Sequence, residues 1–228
     1  MTNDCSSRLN EAGNMPINRL VADLSHHVWD DHGDLDFAAA KTAGIIGVVF
    51  KATEGATYQD ATYGKSRTRA NQAGLLWGAF HYGTAANVED QVKNFQKTAA
   101  WDDDTLLGLD FEYNERRPSN TMSKDQAIDF LDRCEQLARR PLTVYTGMNS
   151  MTRACGNAVV PELGKRRLWW AEYNDTVKLH PTWKNYWLWQ YTDGKNGDLL
   201  PHDVAGFGNC DLNSFAGTAE QLRASWVR

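Results

Sequence analysis

The feature that most constrains this chain is a rhythm. Five times in its first two thirds, a short run rich in β-branched and aromatic residues gives way to a stretch of helical spacing. The runs are RLVADLS (19–25), IIGVVFKA (45–52), LLWGAFHY (75–82), TLLGLDFE (105–112) and PLTVYTG (141–147). Between them helices are expected over 34–43, stopped by Gly44, over 61–73, stopped by Gly74, and over 87–100, capped by Asn87. A fourth helix begins at an S-x-x-Q capping box, Ser123 and Gln126, and carries Phe130, Leu131, Cys134, Leu137 and Ala138 at helical spacing. A short helix is expected after the fifth run. Repeated strand–helix units imply parallel strands joined by helical crossovers. Beyond residue 147 the rhythm changes. LWWAEY (168–173), YWLWQYT (186–192) and GFGNCDLN (206–213) look like strands without long helices between them. The expectation is an α/β fold in which five β-α units followed by three strands close an eight-stranded barrel. The 228 residues suit one such domain over 19–228, preceded by a polar N-terminal segment over 1–18.

The sharpest chemical signal is Leu109-Asp110-Phe111-Glu112 at the end of the fourth run. Side chains alternate along a strand, so Asp110 and Glu112 share one face and Phe111 takes the other. Two carboxylates at the C-terminal end of a barrel strand sit where barrel enzymes keep their chemistry. Like charges this close cannot both ionise freely, and the one held protonated is an acid at neutral pH, as glycosidic cleavage requires. Taken alone, D-x-E is also what a solvent-facing strand end looks like. The other strand ends favour chemistry, because polar and aromatic residues recur there: Asp23, Lys51 with Glu54, His81-Tyr82, Tyr145, Trp170 with Glu172, Trp189 with Gln190, and Asp211 with Asn213. In a barrel these converge on one mouth. Tyr82, Tyr145, Trp170, Glu172, Trp189 and Gln190 are the candidate substrate-binding residues.

Composition bears on the substrate. The chain has nine Trp, eight Tyr and eight Phe, which suits either a large core or a cleft that stacks on sugar faces. A formal net charge of −5 argues against nucleic acid as a partner. Gly-rich phosphate loops and a G-x-S-x-G elbow are absent, and no cofactor or metal is expected. His26, His27 and His32 read as surface histidines of an Asp-rich loop rather than zinc ligands. Cys5, Cys134, Cys155 and Cys210 fit neither a zinc nor a CxxC pattern, and Cys134 on its apolar stripe reads as a buried thiol.

The ordered set of motifs resembles the lysozymes of glycoside hydrolase family 25, which are N-acetylmuramidases. The resemblance spans about Arg19 to Phe215. It rests on VADLS, VVFKATEGATYQD, AGLLWGAFHYG, LGLDFE, PLTVYTG, LWWAEYN, WLWQYTDG and CDLNSF. It implies a single irregular TIM-like barrel of five β-α units and three further strands. It also implies that Glu112 is the general acid and Asp110 its acidic partner, with Asp23 and Asp211 completing the active site. Two departures fall on the rim. His26-His27 follow DLS where the family often has a Gln shortly after, and Phe80-His81-Tyr82 stands where Tyr-His-Phe is usual.

The implied substrate is the peptidoglycan glycan strand, cut at the β-1,4 bond after N-acetylmuramic acid. A chitinase-like glycosidase is the rival enzyme, but chitinases usually carry D-x-x-D-x-D-x-E, and DDDTLLGLDFE does not fit that spacing. A non-catalytic carbohydrate-binding barrel is the rival of another class. No transmembrane run or secretory signal is seen, and neither membrane nor nucleic acid is expected as a partner. The expectation is a monomer made in the cytoplasm that acts on the cell wall. It would be either a phage endolysin released with a holin, or an antibacterial effector with its secretion machinery and immunity protein.

Overall fold

In the computed structural model, residues 18–228 are described; Cys5 and all of the expected N-terminal segment but Asn18 lie outside the described residues. Eight strands form the frame: β1 (Arg19–Leu24), β2 (Gly47–Glu54), β3 (Leu76–Tyr82), β4 (Leu106–Asp110), β5 (Thr143–Gly147), β6 (Arg167–Ala171), β7 (Leu188–Asp193) and β8 (Asp211–Ser214). Each of β1 to β6 pairs in parallel with the next. The last strand runs antiparallel to both β7 and β1 and closes the ring. Its reversed direction follows from its connection. The chain from β7 to β8 returns through a small hairpin, in which Asp203–Val204 pair with Gly208–Asn209, and antiparallel neighbours need no helical crossover.

Helices follow each of the first five strands: α1 (His26–His32) and α2 (Phe37–Thr42), α3 (Tyr63–Ala73), α4 (Val88–Ala99), α5 (Lys124–Ala138), then α6 (Met148–Cys155) and α7 (Pro161–Gly164). Local chemistry sets their ends. The Ser123–Gln126 capping box starts α5, Asn87 accepts from Asp90 N at the start of α4, and Gly74 ends α3 in the left-handed conformation that glycine adopts freely. Two expectations are corrected here. The helix expected from residue 34 begins at Phe37, because the Asp36 carboxylate accepts from Ala38 N and Ala39 N and so acts as its cap. The segment expected as a flexible histidine loop is α1, capped by Ser25, whose side chain accepts from His27 N.

Alternation along the strands makes two cores. Outward-facing Ala22, Phe50, Leu109, Val144, Trp170 and Leu212 pack under the helices. Inward-facing Val21, Val49, Phe80, Leu106, Trp169 and Leu188 fill the barrel, so it is packed rather than hollow. A helix not foreseen in the sequence, α8 (Ala219–Ser225), belongs to that inner cluster through Leu222 and the following Trp226. The Trp226 indole donates to Trp77 O at 2.8 Å, and a Cβ on Gly47 would come within 2.6 Å of its ring. Glycine in β2 therefore makes room for the aromatic packed against this end of the barrel, and the C-terminal strand ends at the other carry the polar side chains.

Candidate active site

On the first four strands the inward phase ends on a polar residue. On β1 the step from Val21 leads to Asp23, on β2 from Val49 to Lys51, and on β3 from Phe80 to Tyr82. On β4, Leu106 and Gly108 lead to Asp110, and the same phase carries one step past the strand to Glu112. The backbone on either side of Glu112 is tied down, since Phe111 N donates to Tyr145 O at 2.9 Å and Tyr113 N to Ser150 Oγ at 2.9 Å. Phe111 is buried on the opposite face and anchors the turn. Asp23 and Asp211 stand opposite one another in the β1–β8 pairing, and their carboxyls hydrogen-bond.

Four carboxyls thus share one mouth, and burial keeps them from ionising together. Glu112 is pushed up to about 7, first by burial and then by the charges of Asp23 and Glu115, with Lys51 opposing. Asp110 lies well above the usual carboxylate range because of burial and the Glu112 charge. Asp211 is raised by burial and by Asp23. Asp23 rises only to about 6, because Gln190 and Asn213 donate to it and offset part of its burial. Lys51 supplies positive charge among them; its Nζ lies 2.6 Å from Glu54 Oε2 and 4.9 Å from the centre of the Tyr82 ring. Asp110 Oδ1 is buried without a hydrogen-bond partner. Such an orphaned atom costs about 1–3 kcal/mol and needs an explanation where it persists.

A cleft of 850 Å³ opens over this floor, with Asp23, Lys51, Asp110 and Asp211 in its lining and exposed Arg116 and Lys195 bordering it. Glu112 lines a second depression of 280 Å³ with Tyr113 and Met122.

The structure brings together most of the residues expected from sequence: Asp23, Asp110, Glu112 and Asp211, with Tyr82, Tyr145 and Gln190. It separates three others. Trp170 is fully buried and Trp189 is 8 % exposed, both on the outward phase of their strands and packed in the outer core, so neither can stack on a sugar. Glu172 is likewise out of phase with Trp169 and Ala171, and its carboxylate accepts from the Asn174 side chain instead of joining the mouth. The residue missed is Tyr173, one step further on the inward phase, whose hydroxyl donates to Gln190 Oε1 at 2.8 Å. The signal was present in the sequence, since counting by two from Trp169 reaches it. Of the three histidines, His32 turns to Asn209 O. His26 and His27 bring ring nitrogens within 4.8 Å of an Asp30 carboxylate oxygen, while His26 Nδ1 is engaged by Asp60 and Tyr58.

Residues 22–198 match the sequence pattern of glycosyl hydrolases family 25. The chain belongs to that family. It is therefore a glycoside hydrolase. Lysozyme M1 of Streptomyces globisporus is 29% identical over 215 residues, which cover 89% of this chain and 69% of that protein. The family 25 lysozyme of Aspergillus fumigatus superposes with a TM-score of 0.75 at 29% identity, over 92% of this chain and 99% of that one. The muramidase of Acremonium alcalophilum does so with a TM-score of 0.73 at 30% identity, over 90% and 98%. The α/β barrel expected from the strand–helix rhythm is thus the fold that this chain shares with them.

Proposed function

We propose that this family 25 lysozyme hydrolyses the β-1,4 bond after N-acetylmuramic acid in peptidoglycan, with Glu112 as its general acid. The observation that carries the reading is the Glu112 carboxyl, one step beyond Asp110 on the same strand phase and raised to about 7 by burial and by the charges of Asp23 and Glu115. A carboxyl protonated near neutrality can protonate the leaving oxygen and, once ionised, activate the water that completes hydrolysis. The relatives called lysozyme and muramidase support the bond chosen.

Asp110 supports a particular second half of the reaction. Its carboxyl lies in the lining of the cleft beside Asp23 and Asp211. The N–H of the sugar's 2-acetamido group is a donor of the right kind. Asp110 would hold that amide while its carbonyl oxygen attacks the anomeric carbon, the substrate-assisted variant of the two-carboxylate scheme. Asp211, bonded to Asp23, would help fix the sugar's orientation. The enzyme works on the wall outside the cytoplasm, as a phage endolysin released with a holin or as a secreted effector. No helix among the described residues is long and apolar enough to cross a membrane.

The test is turbidity loss on purified cell walls. Glu112→Gln keeps the shape and removes the proton donor, and it should lower lysis at least ~100-fold, the usual scale for a general acid. Near-wild-type lysis by that variant would remove Glu112 from the mechanism.

A further inference from the structure

Gln190 sits on the inward phase of β7 and is 1 % exposed, so substrate does not reach it. Every hydrogen-bonding direction of its amide is nevertheless used. Nε2 donates to both carboxylate oxygens of Asp23, each at 3.0 Å, and approaches Asp211 Oδ2 at 3.5 Å. Oε1 accepts from the hydroxyls of Tyr145 and Tyr173, each at 2.8 Å. The amide has one sense only. Turned over, it would set its oxygen against the Asp23 carboxylate, a repulsion between acceptors in a buried, low-dielectric site.

We infer that Gln190 is a positioning residue that holds Asp23 as the ionised member of the acid cluster and commits the Tyr145 and Tyr173 protons inward. A hydroxyl that has donated its proton can only accept. The Tyr173 oxygen, on a side chain that is only partly buried, keeps its lone pairs for a donor on the sugar, a hydroxyl or an amide N–H. This rests on the reading of Glu112 and Asp110 as the reacting acids, and it assigns the remaining polar residues their part.

The groups facing Asp23 come from every side of the mouth. Asn213 on β8 donates to it at 2.7 Å, and Asp211 on the same strand stands opposite it. Asp110 and Glu112 at β4 repel it, and Lys51 on β2 lines the same cleft. Tyr145 and Tyr173 reach it through Gln190. Of the bonds that hold Asp23 down, those from Gln190 act most strongly against its burial. Removing them raises the Asp23 carboxyl further. An acid limb of the pH–rate profile that reports Asp23 protonation then moves to higher pH.

The variants are Gln190→Met, which removes both ends of the amide, and Gln190→Glu, which keeps the tyrosine acceptor and sets another carboxyl against Asp23. Both should shift the acid limb upward by about one unit. At pH 5 kcat/KM should fall roughly tenfold while changing much less at pH 8, one unit being tenfold. Tyr173→Phe should raise KM and leave the acid limb in place. The Asp23 carboxyl is also titrated by carbon-13 NMR in wild type and Gln190→Met, a readout that needs no turnover. An unmoved limb with activity lowered equally at all pH values, or an unmoved Asp23 titration, would overturn the inference. Retained activity in Glu112→Gln would instead sink the catalytic reading and leave the Asp23 titration to judge Gln190 by itself.

Discussion

Replacing Glu112 by Gln should remove activity and add stability, and the second effect has a sign that depends on pH. The Glu112 carboxyl is raised from 4.5 to about 7, chiefly by burial. Below pH 4.5 the group is protonated in the folded and unfolded states alike, and folding incurs no charge penalty. Above about 7 it is ionised in both states, and the folded state carries the full penalty. At about 1.4 kcal/mol per pKa unit this amounts to about 3 kcal/mol, a ceiling because the side chain is only partly buried. Gln has nearly the same volume and no charge. Glu112→Gln should therefore match wild type at pH 4 and exceed it at pH 8. The gain corresponds to at most roughly 6–12 °C in melting temperature, at 2–4 °C per kcal/mol for a domain of this size. Thermal unfolding of both proteins at the two pH values measures it, and comparing them at the same pH cancels the titration of the other acids. A variant no more stable than wild type at pH 8, or equally stabilised at pH 4, would refute the argument that burial strains this carboxyl.

Two further outcomes follow from the same geometry. Wall lysis should decline above about pH 7 as Glu112 loses its proton, and a rate still rising at pH 9 would mean another group supplies the acid. Trp170→Ala should destabilise the fold by about 3–5 kcal/mol, since it empties a fully buried site in the outer core, and should leave wall affinity of the folded fraction unchanged; weakened binding with intact stability would return Trp170 to the cleft.

The barrel was legible because its five strand–helix units each carry their own local signals: β-branched runs, the Ser123–Gln126 box, Asn87 and Gly74. The antiparallel closure by β8 was not, because GFGNCDLN reads as one strand although only Asp211–Ser214 joins the ring and Gly208–Asn209 belongs to a hairpin. That Asp110 and Glu112 share one face was legible from spacing, since a period of two needs no tertiary information. The same period, applied from Trp169, would have excluded Trp170 and Glu172 and chosen Tyr173. Taking residue type at a strand end without its phase is what placed two core tryptophans in the cleft. Helix α8 was missed because its seven residues bear little apolar periodicity, and its place is set by Leu222 and Trp226 packing against the barrel interior.

The central claim is the identity of the bond that this enzyme cuts. Purified peptidoglycan is digested, the fragments are reduced with borohydride, and their ends are read by mass spectrometry. A muramidase exposes N-acetylmuramic acid as the new reducing end, so muropeptides ending in reduced muramic acid are the expected result. Fragments ending in reduced glucosamine, or peptides released from an intact glycan, would contradict the account.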